Sequence, residues 1–131
     1  NKVEEILFLE NKIEINKIFF LIYKKNNVLL DVFRKNILTA SDFYIFLNSL
    51  KLYLNIISNS PNQKDALNFF PKYLFNEKDV FLEIYQNLNK EKIIKIYNNI
   101  QKIERMARSN SSLLLDIGSR FLLSTKKIIT S

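Results

Sequence analysis

The chain has 131 residues, 47% hydrophobic and 25% charged, a balance that supports one compact domain with its own core. It contains no histidine, no cysteine and a single glycine. That removes the usual metal ligands, the usual neutral-pH base, the thiol nucleophile, any disulfide framework and any glycine-rich phosphate loop.

With one glycine and two prolines, the turn chemistry of a many-stranded sheet is nearly absent, while apolar residues recur at three- and four-residue spacing. The expected fold is all-α. It is a helical bundle of about five to seven helices filling 1–131 as a single domain, with a possible short irregular segment at the N-terminus. Asn1 opens the chain and Met106 is its only methionine, so a C-terminal fragment of a longer chain is expected. Lysine-rich, cysteine-free chemistry fits a reducing, cytoplasmic compartment. The longest apolar runs, such as Ile18 to Tyr23, stop far short of the roughly 20 residues a membrane span requires, so no membrane is expected.

Lys2 to Lys25 carries Val3, Ile6, Leu7, Ile13, Ile18, Phe19 and Ile22 near a helical period. This predicts two helices or one kinked helix, broken around Asn11, although the alternation Ile13-Glu14-Ile15 equally fits a short strand. Asn26-Asn27 signals a turn. Val28 to Lys35 follows as a short helical stretch with Leu29, Val32 and Phe33 on one side. Thr39 and Asp42 have the form of a capping box, in which each side chain satisfies a free amide at a helix start. The long helix behind them places Phe43, Phe46, Leu47, Leu50, Leu54 and Ile57 at helical spacing, broadened by Tyr44, Leu52 and Tyr53, up to Ser58-Asn59-Ser60.

Ser60-Pro61 reads as a cap followed by a proline at the first helical position, where the missing amide hydrogen costs little. Pro71 ends or kinks that helix. Asn76 can cap the next one, with Glu77 and Asp79 in the first turn, where the helix dipole favours negative charge, and Val80, Phe81, Ile84 and Leu88 along it. Asn89 can cap the helix after that, whose Ile93, Ile96, Tyr97, Ile100, Ile103 and Met106-Ala107 form a clean apolar stripe. It ends at Ser109-Asn110, and either residue can cap a final helix with Leu113, Leu114, Ile117, Phe121 and Leu122 inward. Gly118 lies inside that helix at a cost of roughly 1 kcal/mol against alanine. Close approach of a neighbouring helix and simple drift explain it equally well.

The remaining paired carboxylates, Glu4-Glu5 and Glu77 with Asp79, sit where helices carry solvated or dipole-complementing charge. No catalytic, cofactor-binding or metal-binding residue is singled out, and catalysis is not expected. The net charge of +7 is concentrated in the C-terminal third, where Lys90, Lys92, Lys95, Lys102, Arg105, Arg108, Arg120, Lys126 and Lys127 meet few acids. Lys95, Lys102 and Arg105 fall opposite the isoleucine stripe, facing solvent, nucleic acid or an acidic partner. The tyrosines and phenylalanines fall at core spacing, not as a platform for stacking bases.

From Leu88 to Leu123 the chain runs as a helix with Ile100, Ile103 and Arg105, a break at Asn110, then Leu113-Leu114-Leu115-Asp116 and Arg120-Phe121-Leu122-Leu123. This resembles the C-terminal collar domain of bacterial DNA polymerase III clamp-loader subunits, the delta prime type first and the delta and gamma/tau types more loosely. Gly118 departs from the family, which usually has an apolar residue there. The resemblance implies a non-catalytic oligomerisation domain in DNA replication. Its partners would be the other clamp-loader subunits, and DNA would be reached only through the complex. It also implies that Asn110 caps the last helix, that Leu113, Leu114, Ile117 and Phe121 anchor it, and that Arg105, Arg108 and Arg120 contact neighbouring subunits. With Lys95 and Lys102 these arginines make up the candidate interface. The rival readings are a basic helical nucleic-acid-binding domain and a helical adaptor or effector module.

Overall fold

The computed structural model describes the backbone of residues 1–131 and every side chain but that of Phe8. Seven α-helices follow one another: α1 Lys2–Lys17, α2 Asn26–Asn36, α3 Ala40–Asn59, α4 Gln63–Phe69, α5 Lys78–Asn87, α6 Lys90–Ser109 and α7 Leu114–Thr130. Tight 3-10 turns at Ile18–Leu21, Lys72–Glu77 and Ser111–Leu113 join some of them, and no strand occurs among the described residues. The all-α bundle expected from the spacing is therefore the fold.

Helix α3 is the axis of the core. Phe43, Phe46, Leu47, Leu50, Tyr53, Leu54 and Ile57 are all buried along it, because their spacing keeps them on one broad stripe. Its start is held by the expected capping box: the Asp42 amide donates to Thr39 Oγ1 at 3.1 Å and the Thr39 amide to Asp42 Oδ2 at 3.2 Å. Asn89 likewise accepts from the Lys92 amide at 2.8 Å to open α6. Two aromatic nests fill the bundle. In one, Phe70 stacks on Phe81 at 4.3 Å, with Phe20 edge-on to Phe70 at 5.6 Å. In the other, Phe33 and Phe121 both meet Phe46 edge-on, a geometry that the ring quadrupoles favour.

Several local expectations are corrected. No irregular segment opens the chain, since Asn1 caps α1 by accepting from the Val3 amide at 2.7 Å. The helix runs unbroken through Asn11 and tightens only at Ile18, and Ile13-Glu14-Ile15 is helical. The tightening places Ile18, Phe19 and Phe20 in the interior together, with Phe19 and Phe20 both against Tyr53. Asn26 and Asn27 form the first turn of α2 rather than a loop.

The cap of α4 is Asn62, which accepts from the Asp65 amide at 2.9 Å. Ser60 instead turns back, its hydroxyl donating to the Ile56 carbonyl at 2.6 Å, so Pro61 lies outside the helix. Asn76 belongs to the 3-10 turn before α5, a helix that begins with no side-chain cap. Pro71 does follow the end of α4. No helix among the described residues is long and apolar enough to cross a membrane.

Candidate interaction surface

Helices α6 and α7 form an antiparallel hairpin. The Ser111–Leu113 turn joins them at one end, and at the other Lys92 Nζ donates to the Ser131 carbonyl at 2.8 Å. The isoleucine stripe of α6, from Ile93 through Ile96, Ile100 and Ile103 to Ala107, is buried, as are Ile117, Phe121, Leu122 and Ile129 of α7. Such a hairpin closes when each helix keeps one apolar stripe and the connection is short.

On its outer side the hairpin leaves a groove of about 460 Å³. Ile103, Met106, Leu113, Ile117 and Phe121 supply apolar lining, Lys102 and Arg120 the positive charge, and Asp116 a single carboxylate. Met106 and Leu113 were expected in the core, yet both are exposed. Helix α6 rotates Met106 past the stripe that Ile103 and Ala107 share. Leu113 falls on the 3-10 turn, outside the helical register that buries Ile117 and Phe121. Leu115 and Leu38 are also exposed, flanking a smaller hollow with Ser111 and Ser112.

The expected site residues separate into distinct groups. Lys102, Arg120 and Asn110 meet in the groove. Lys95 lies two turns earlier on α6 and is drawn to Glu91 at 3.7 Å. Arg108 Nη2 lies 3.7 Å from Glu104, which also pairs with Lys51 of α3. Lys92 and Lys126 are spent on backbone carbonyls, those of Asn87 and Ser131 for the first and Lys24 for the second. Lys102, Arg105 and Arg120 are exposed and have no ion-pair partner among the described residues. Lys90 and Lys127 near the other end of the hairpin are likewise exposed and without an ion-pair partner among the described residues, but of the candidate interface residues it is Lys102, Arg105 and Arg120 that stand unpaired.

Asn110 does not cap the last helix. Its side-chain amide donates backward to the Met106 carbonyl at 3.1 Å, closing the end of α6, and its carbonyl accepts from the Leu113 amide at 2.9 Å. The α6 end offers carbonyls with no partner of their own, while Leu113 precedes α7 with no side-chain cap. The role is structural, on the opposite helix from the one expected.

Three further aromatic side chains are exposed, Phe69 at the end of α4 and Tyr73 and Phe75 on the connector to α5. The cations near them in sequence, Lys64, Lys72 and Lys78, are balanced by Asp65, Glu77 and Asp79. With no net charge to draw phosphates, this region is a weaker nucleic-acid surface than the hairpin. Among the described residues, no group of three or more His, Cys, Asp or Glu side chains is arranged to hold a metal ion.

No protein-family model, no curated protein and no solved structure matches this chain. By its fold the chain is an all-α helical bundle with an exposed, cationic terminal hairpin.

Proposed function

We propose that the chain is a non-catalytic oligomerisation domain of the collar type, from a bacterial clamp-loader subunit resembling delta prime, working in the cytoplasm. The observation that carries this reading is the α6–α7 hairpin. It combines an asparagine-containing break, a leucine-rich last helix anchored by Ile117 and Phe121, and unmatched cations at Lys102, Arg105 and Arg120. A domain that holds neighbours in place needs an outward face of this kind, with apolar area for affinity and charge for register. It needs no reactive pocket. Its partners are the other clamp-loader subunits, and DNA is reached through the assembly.

Sedimentation of the chain with delta and gamma/tau-type subunits tests the proposal. Replacing Arg105, Arg108 and Arg120 together by alanine should abolish the complex while the helical circular dichroism stays unchanged. An unaltered complex would remove the assignment of these arginines, and no complex with the wild-type chain would remove the collar reading. Binding of the isolated chain to DNA, weakening steeply with salt, would favour direct phosphate contact instead.

A further inference from the structure

Among the described side chains, the N-terminal half of α1 is exposed. Val3, Ile6, Leu7 and Leu9 are between 56% and 63% exposed, and among the described side chains of the helix the first buried one is Ile15. Val3, Ile6 and Leu7 stand at i, i+3 and i+4, the spacing that places side chains on one helix face. Over the same ten residues the chain carries Glu4, Glu5 and Glu10 against Lys2. This is an acidic helix with an open apolar face.

The α6–α7 groove is its complement in both respects, with apolar lining from Ile103, Met106 and Leu113 and positive charge at Lys102 and Arg120. Dimensions agree as well: residues 2–12 of α1 rise about 15 Å, and the stretch from Asn99 in α6 to Asn110 just past its end, which lines the groove, rises about 16 Å.

From this complementarity we infer that the groove of one copy receives the N-terminal half of α1 from a second copy, in a head-to-tail contact. Leucine and isoleucine side chains of α1 cover Met106 and Leu113, while Glu4 and Glu10 approach Lys102 and Arg120. Because the two surfaces are different, a pair of copies still has one free groove and one free helix, so the contact propagates into a ring or an open chain. The inference gives the groove a different occupant from the collar reading, a second copy of this chain in place of another subunit, and its test uses this chain alone, so either can fail without the other.

Sedimentation velocity of the chain by itself, across a range of concentrations and at low and high salt, is the test. The wild type should form species that grow with concentration and shrink with salt, because the rim charges are exposed and screened. Ile6→Ser with Leu7→Ser should weaken association about tenfold or more, as should Lys102→Glu with Arg120→Glu. All four positions are solvent-facing, so circular dichroism should stay that of the wild type.

The decisive step mixes the two variants. Each retains one intact surface, so an equimolar mixture should give a dimer that grows no further. A monomeric wild type at every concentration would overturn the inference, as would a mixture that stays monomeric or self-association that survives the α1 substitutions.

Discussion

The ring of Phe33 fills the space that a β-carbon on Gly118 would occupy: its Cε1 lies 2.8 Å from that position, and Cε2 of Phe43 lies 3.0 Å away. Real β-carbons essentially never come as close as the Phe33 contact, and the Phe43 contact is tighter than most, so the glycine fits a place where α7 presses its backbone against two rings. Of the two explanations open at the sequence level, close approach is the right one.

Gly118→Ala should therefore destabilise the fold. Alanine gains about 1 kcal/mol of helix propensity, but overpacking a filled core costs about 1–3 kcal/mol, leaving a net loss on the order of 1 kcal/mol. Phe33→Leu removes the obstructing ring atoms. The double variant should lose less stability in urea than the two single losses added, by about 0.5 kcal/mol or more. Simple additivity would mean that Phe33 is not the obstruction.

The Tyr53 hydroxyl is buried and donates to the Asn16 carbonyl at 2.7 Å. Burial holds its pKa well above the ordinary value of 10.0, with the neighbouring Tyr73 adding to the effect, and burial raises Tyr23 and Tyr97 in the same direction. The folded state thus keeps protons that the unfolded chain releases. The stabilisation is complete below about pH 10 and is lost as pH rises above it. Urea midpoints should fall between about pH 9 and 12, and Tyr53→Phe should make that fall shallower. The same variant should cost about 1–2 kcal/mol at neutral pH by leaving the Asn16 carbonyl without its donor. An identical alkaline slope in both proteins would contradict the account.

Capping gives a contrast between residues of the same type. Asn62→Ala and Asn89→Ala each remove an acceptor bonded to a helix amide, and each should cost about 1 kcal/mol. Asn76→Ala removes an exposed side chain that caps nothing and should fall within about 0.5 kcal/mol of wild type. Comparable losses at all three positions in thermal unfolding would be inconsistent with the observed cap geometry.

Neighbouring groove residues should also differ. Ile103 is buried beneath the hairpin, and Ile103→Ala should cost about 2–5 kcal/mol. Met106→Ser and Leu113→Ser affect exposed side chains and should each change stability by no more than about 0.5 kcal/mol. Unfolding midpoints of the three variants check this directly, and a large loss at Met106 would place it in the core after all.

Most of the fold was legible because periodicity and caps are local. The apolar spacing of Phe43 to Ile57 and of Ile93 to Ile103, the Thr39–Asp42 box and the Asn89 cap each depend on residues within a few turns. Misread features were decided by a few degrees of helical phase or by one residue of offset. Met106 and Leu113 look apolar enough for the core, and only the rotation of α6 and the 3-10 turn exposes them. Asn62 and Ser60 are equally good caps on paper. The carbonyl of Ile56 claims the Ser60 hydroxyl and leaves the helix start to Asn62.

The same division holds at the candidate surface. By itself the sequence determined that the chain is helical, that its C-terminal third is cationic and that it has no histidine or cysteine. Those properties follow from residue type and short-range spacing. Which candidate interface cations are paired was decided only by the tertiary structure: Lys51 from α3 and Arg108 share Glu104, whereas Lys102, Arg105 and Arg120, like Lys90 and Lys127, have no ion-pair partner among the described residues. Charge pairing depends on which distant segments meet in space, and spacing along the chain carries no record of that.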